Sequence, residues 1–313
     1  MIPPVPAPAA HLTVLDSRSS FATVAVAWRT CEQSSTETSA ARLRSSVERA
    51  GRSQGPGSRP VQCSWSKGAG ADCLVVALPE TGIRSWGTAV VEALCARPGA
   101  FAAPVVSVAG SELAVESTGA IAAQLSPMDF MDKPAPTSMR QKRQQGYEQT
   151  VITGADPSVR TGHAATFVAL CALMAGPGPN LPSELEASGN PTMVSINRTL
   201  EGGSPVIVWT VITPAEGSVL ALQELAENAA DVARAAIAEP TELIAFARAN
   251  LNRPWSSPRG LAQAMAEYEV MGWGGQLIRD PDAALESVRP RLREAFARLL
   301  RPVTDVLGQP SML

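Results

Sequence analysis

The chain has 313 residues, 45% of them apolar and 18% charged, with a formal net charge of −3 and an isoelectric point near 5.6. That length suffices for two domains with real cores, and the composition is that of a globular chain. The mildly acidic balance, without a long basic stretch, argues against a nucleic-acid partner. No run of about eighteen apolar residues occurs, so a membrane-spanning helix is not expected. The opening MIPPVPAPAA has neither a charged start nor an apolar stretch, so no secretory signal is read there. Five scattered cysteines (Cys31, Cys63, Cys73, Cys95, Cys171) lack metal or redox spacing and suggest reduced thiols in a cytoplasm.

There are two histidines, His11 and His163. Protein zinc sites need three or four His, Cys or carboxylate ligands, commonly including a close pair. No close His/Cys pair exists here, and no metal site is expected in the chain. Neither histidine accompanies a recognisable nucleophile motif of the Ser-His-Asp or Cys-His type. The sequence therefore argues against ordinary hydrolytic chemistry.

In chain order, His11 to Leu15 and Phe21 to Trp28 read as strands, the second through the alternation of Val24, Val26 and Trp28. Ser39 to Ala50 reads as a helix closed by Gly51. Val61 to Trp65 and Cys73 to Leu78 flank Lys67-Gly68-Ala69-Gly70 as an antiparallel hairpin. Pro79 opens a helix through Ile83, Trp86, Val90, Val91 and Leu94, which stops before Arg97-Pro98. Pro104 to Ala109 is a short strand and Glu112 to Leu125 a helix. Residues 129–146 read as a linker between residues 1–128 and 147–313. Within it, Arg140-Gln141-Lys142-Arg143 is most simply a solvated charge run.

The second half opens with a strand from Tyr147 to Thr153 and a helix from Ser158 to Ala175. Thr192 to Leu200 and Pro205 to Ile212 form a second hairpin around Glu201-Gly202-Gly203. Thr213-Pro214-Ala215-Glu216 reads as a capping box that starts a helix reaching Ala238. Helices are then expected at Thr241 to Leu251, Arg259 to Met271 and Asp282 to Leu300, the last capped by Asp280. Strand, helix, hairpin, helix thus occurs twice. This order predicts an α+β chain of two repeated sandwich domains, each an antiparallel-rich sheet covered by helices.

The arrangement resembles the pitrilysin-type (insulinase, mitochondrial processing peptidase) zinc metallopeptidases, specifically their short bacterial subunits. Most of the likeness lies in Tyr147 to Val151, the helix from Thr161 to the Gly176 turn, Leu181-Pro182-Ser183-Glu184-Leu185 and the Gly202-Gly203 hairpin. Pro240-Thr241-Glu242-Leu243, Ala262 to Tyr268 and the terminal helix complete it. The resemblance implies an H-x-x-E-H motif on the helix at Ser39 to Gly51, where two histidines hold zinc and the glutamate activates water. Here Arg42 and Ser46 fall where the histidines belong, and Ser45 where the glutamate belongs. The first domain also looks shortened, since Pro98 leads almost directly into Pro104. In the second domain, the family's substrate-polarising Arg and Tyr fall on Glu186 and Met193. A carboxylate repels oxyanion charge and a thioether donates no hydrogen bond.

The resemblance thus implies a pseudopeptidase. Such a chain would pair with a zinc-bearing homologue to close a peptide-processing chamber, the zinc lying in the partner. It would hold peptide by strand addition near Val61, Cys63 and Trp65, whose plainer reading is one buried sheet face. Precursor-peptide trimming in a specialised pathway is one use. The alternatives are a stand-alone homodimeric peptide-binding scaffold, or an enzyme with new, non-zinc chemistry in the old chamber. Arg42, Arg44, Arg49, Arg52 and Arg59 either shape an electropositive wall or form a solvated helix face. Met271-Gly272-Trp273-Gly274-Gly275 is either a packed turn or, through Trp273, part of a partner interface. His11 and His163 read as surface or capping residues.

Overall fold

A computed structural model describes residues 11–15, 21–29, 45, 62–67, 71–79, 83, 86, 102–123, 137–187, 189, 191–201, 204–214 and 218–308. The chain forms two compact units. The first comprises residues 1–130 and 252–279, the second 131–251 and 280–313.

The first unit is built on a five-stranded sheet in the order β1-β5-β2-β4-β3. Its strands are β1 (His11–Leu15), β2 (Phe21–Arg29), β3 (Gln62–Lys67), β4 (Ala71–Pro79) and β5 (Ala102–Gly110). All neighbours are antiparallel except β1, which runs parallel to β5. The central strands β2 and β4 are buried on both faces, with Val24, Ala25, Val26, Trp28, Leu74 and Val76 all at 0% exposure. Strands buried on both faces need cover on both, and this one lacks the polar outer face of a solvated sheet. Part of the cover is the helix Pro258–Val270, which packs across β2, β4 and β5. It buries Leu261, Ala262, Met265, Ala266 and Val270. The Ser107 hydroxyl on β5 donates to the Ala262 carbonyl, which satisfies a buried polar group against the helix backbone. Ile83 and Trp86 are helical, as read from the sequence, and both are fully buried.

The second unit carries a four-stranded antiparallel sheet in the order β6-β7-β9-β8. Its strands are β6 (Ser138–Gln144), β7 (Tyr147–Ala155), β8 (Met193–Glu201) and β9 (Ser204–Pro214). Helices His163–Ala175, Ser218–Ala238 and Leu292–Leu307 pack together on this unit, the last also against β7. The closest approach is at Gly154: an added Cβ would lie 2.2 Å from Cγ of Pro302. Pro302 interrupts the helical ladder. One turn earlier, the fully buried Trp209 of β9 donates from Nε1 to the Leu299 carbonyl at 3.2 Å.

Several expectations change. Residues 252–279 lie in the first unit, not the second, because the Pro258–Val270 helix covers the first sheet. The expected linker at 129–146 contains strand β6, paired with β7 through a two-residue turn at Gln145 (φ 50°) and Gly146 (φ 82°). The helix expected from Ser158 to Ala175 breaks at Gly162 (φ 86°) into Ser158–Thr161 and His163–Ala175. Thr213 and Pro214 end β9 rather than opening a helix, and the next helix starts at Ser218. Ala215 and Glu216 lie outside the described residues. The last helix is three pieces, Pro281–Glu286, Arg289–Arg291 and Leu292–Leu307. Asp280 does cap the first of these, accepting from the Ala283 N–H at 3.1 Å.

Gly154→Ala is expected to lower stability by about 1–3 kcal/mol, since the methyl group collides with a proline ring that has no rotamer to escape into. The urea midpoint followed by circular dichroism measures this; an unchanged midpoint would contradict the contact.

Candidate functional site

Strand β3 is the outermost strand of the first sheet, bonded on one side to β4 from Gln62↔Ala77 to Lys67↔Asp72. Its other side has no strand partner among the described residues. An edge strand presents alternate backbone N–H and C=O groups outward, which is the requirement for adding a peptide strand. Cys63 and Trp65 sit on β3. Val61 lies one residue before its start, outside the described residues.

Beneath this edge, Cys73 on β4 is fully buried. Burial, then the charges of Glu267 and Asp72, push its thiol well above the usual range. In the second unit, burial pushes the Cys171 thiol up to about 12. Both therefore stay protonated at neutral pH, the opposite of an activated nucleophile.

Of the residues expected on the zinc-motif helix, Ser45 is helical and exposed; Arg42 and Ser46 lie outside the described residues. Among the described residues, no three His, Cys, Asp or Glu side chains converge as a metal cluster. The residues read at the motif positions do not fit zinc: a guanidinium is itself a cation and serine hydroxyls are poor ligands. Glu186 is exposed at the end of the helix Leu181–Ala187. Met193 begins β8 with 65% of its surface exposed. A carboxylate and a thioether are both without a hydrogen-bond donor.

Trp273 is half-buried. Its ring meets Tyr268 edge to face, with centroids 5.4 Å apart, and the backbone N–H of Trp273 donates to the Tyr268 carbonyl at 2.7 Å. Gly272 and Gly274 take positive φ on either side, so the turn packs around a half-buried tryptophan.

Sequence reasoning missed a buried polar cluster in the second unit. Arg198, on β8, donates from Nε to Asp156 Oδ2 at 2.8 Å and from a terminal nitrogen to Ser158 Oγ at 3.1 Å. The same nitrogen lies 3.5 Å from Nδ1 of His163. Asp156 Oδ1 in turn accepts from the Ser158 N–H at 2.8 Å. The side chains of Arg198 and Asp156 are 5% and 0% exposed, so the pair holds the end of β7 and the following helical turn to β8. A signal existed: Arg198 is two residues from the buried Ile196, and alternation turns a strand cation at that spacing inward, where it needs a carboxylate. Burial and then the Arg198 charge lower His163 from its usual 6.5 to about 4, against an opposing pull from Asp156. The imidazole, half-buried at the first position of its helix, is therefore neutral at neutral pH.

No protein-family model and no curated protein matches the sequence. By fold, the chain is similar to a protease from Helicobacter pylori, with a TM-score of 0.53 and 12% identity over 94% of this chain and 93% of that one. It is also similar to a chain of complex III2 from Candida albicans with Inz-5 bound, with a TM-score of 0.51 and 9% identity over 91% and 89%. An inactive peptidase M16 domain from Pseudomonas fluorescens matches at a TM-score of 0.49, with 12% identity over 96% and 93%. The α+β architecture of two sheet-and-helix units, expected from the order of elements, is thus a fold shared with the Helicobacter pylori protease and the Candida albicans complex III2 chain. Among the described residues, no helix is long and apolar enough to cross a membrane.

The lowered His163 pKa gives a pH dependence of definite sign. Unfolding frees the ring to bind a proton near pH 6.5, whereas the folded protein resists until about pH 4. The stabilisation is therefore complete above pH 6.5 and is lost as the pH falls toward 4. The urea midpoint is expected to drop across that window, and His163→Gln to flatten the drop. Equal slopes for both proteins would contradict a half-buried, neutral imidazole.

Proposed function

We propose that this chain is a non-catalytic, pseudopeptidase subunit of the pitrilysin/insulinase type. It pairs with a zinc-bearing homologue and helps to hold peptide in the chamber the two enclose, as in the trimming of a precursor peptide. One observation carries the reading: the chain has two histidines. His11 lies on β1, and His163 lies beside the buried Arg198. They are more than 150 residues apart in a fold whose active members need two on one helical turn. With Arg42, Ser45 and Ser46 at the motif positions and Glu186 and Met193 in place of the polarising pair, zinc would belong to the partner.

The part left to this chain is binding. An extended peptide laid along β3 would gain main-chain hydrogen bonds without needing a catalytic group. Cys63 and Trp65, with the neighbouring Val61, would supply side-chain contacts. Half-buried Trp273 is the candidate partner contact on the first unit. A homodimeric scaffold without proteolysis would use the same edge, and differs in what the chain assembles with.

Proline substitution tests the binding role. Neighbouring strand residues point their N–H groups in opposite directions, so one of Cys63→Pro and Ser64→Pro removes an outward donor. That variant is expected to weaken binding of a fluorescent extended peptide at least tenfold while retaining the wild-type circular dichroism spectrum. Unchanged affinity in both folded variants would place the peptide elsewhere. The purified chain, with or without added zinc, is expected to cleave no peptide, and zinc-dependent cleavage by it would overturn the proposal.

A further inference from the structure

We propose that the outer edge of β6, in the second unit, is a docking site for an acidic, extended segment of a partner polypeptide, added to the sheet as a fifth strand. This site is separate from β3 and does not depend on that reading.

The backbone settles which groups are on offer. The turn at Gln145 and Gly146 has two residues, both with positive φ, and is closed by the pair Gln144↔Tyr147. In a hairpin of this type the closing residues exchange both hydrogen bonds with each other, and bonded pairs then alternate along the ladder. Lys142 and Arg140 therefore point their backbone groups at Gln149 and Val151 of β7. Met139, Gln141 and Arg143 point theirs away from the sheet. Among the described residues β6 is terminal in its sheet, and six of its seven residues are exposed, so three outward sets of N–H and C=O groups have no strand partner there. A primed two-residue turn holds the pair in one register, so the edge is formed before any partner arrives.

The side chains select the occupant. On one face of β6, the buried Glu148 ties down two neighbours, accepting from Arg143 Nε at 2.8 Å and from Gln141 Nε2 at 3.0 Å. The charge of Arg143 is thereby matched. On the other face stand Arg140 and Lys142. Arg140 is 80% exposed and lies 3.6 Å from Glu201, itself half-exposed, a contact that water screens heavily. Lys142 has no acidic partner among the described residues. Two cations two positions apart on one face of an open edge repel a second copy of the same strand, which would set like charges opposite each other. They favour a strand carrying Asp or Glu at alternate positions, whose carboxylates fall beside them.

The experiment uses the full chain and a fluorescent peptide alternating Glu and Val, with Lys/Val and scrambled acidic peptides as controls. Anisotropy is expected to show binding of the alternating acidic peptide, at least tenfold tighter than either control, and weakening with salt. Arg140→Glu combined with Lys142→Glu is expected to reduce affinity at least tenfold. Gln141→Pro removes an outward N–H but no β6–β7 bond, so it is expected to reduce affinity similarly with the spectrum of the folded protein unchanged. The Cys63→Pro and Ser64→Pro variants are expected to leave this binding intact, so failure at β3 and failure here are read separately. Equal binding of the scrambled peptide or of a single-stranded oligonucleotide, insensitive to Gln141→Pro, would reduce the site to nonspecific charge attraction and overturn the proposal. So would no binding at all.

Discussion

A sheet buried on both faces must find cover on both, and in the first unit part of that cover comes from the far end of the chain. The helix Pro258–Val270 crosses β2, β4 and β5, seating Ala262, Met265 and Ala266 on strands whose central residues, Val24, Val26, Leu74, Val76 and Val108 among them, are fully excluded from water. Small residues allow this approach: Gly275 follows the helix where a Cβ would lie 2.3 Å from Leu12 of β1 and 2.7 Å from the Met265 carbonyl. Everything the first unit presents, including the open edge at β3, rests on a sheet that is incomplete until about residue 279 has been made. Contacts of such long sequence separation carry a large loop-closure cost and belong to slow folders.

The second unit meets the same need differently. Its strands and covering helices are mostly consecutive, and the tight points are specific: a glycine under a proline ring at Gly154 and Pro302, and an indole donating into a helix at Trp209. The buried pair of Arg198 and Asp156 joins two strands that are not neighbours. Burying two charges is costly, and such a pair does more to fix one arrangement than to add stability. It also occupies residue types that elsewhere do chemistry, since Ser158 and His163 both lie against the same guanidinium. Together with two cysteines held as thiols, this leaves Ser158, His163, Cys73 and Cys171 engaged in structure. What the fold offers outward is backbone, at β3 and β6.

Much of this was legible in the sequence. Both hairpins announce themselves by apolar alternation on either side of glycine-containing turns, and Ile83 and Trp86 occupy the helical positions their spacing suggests. The failures have physical causes. Strand β6 was hidden because an edge exposed on both faces carries no apolar alternation, and Ser-Met-Arg-Gln-Lys-Arg-Gln reads as solvated chain. The break at Gly162 was hidden because the apolar period runs on through a single glycine with left-handed backbone. The assignment of residues 252–279 to the first unit was invisible because periodicity reports that a helix has an apolar face, but never which sheet that face covers. The cluster around Arg198 needed strand parity at one residue and a partner 42 positions away. Arg42, Ser45, Ser46, Glu186 and Met193 depend on register with a resemblance, which local physics cannot supply.

The most direct measurement is the mass, by light scattering, of this chain co-expressed with a homologue that bears an H-x-x-E-H motif. A one-to-one complex that cleaves peptide, while neither chain alone does, is the expected result. A self-contained homodimer that ignores the zinc-bearing chain, with cleavage unaffected by its presence, would contradict the role of non-catalytic subunit.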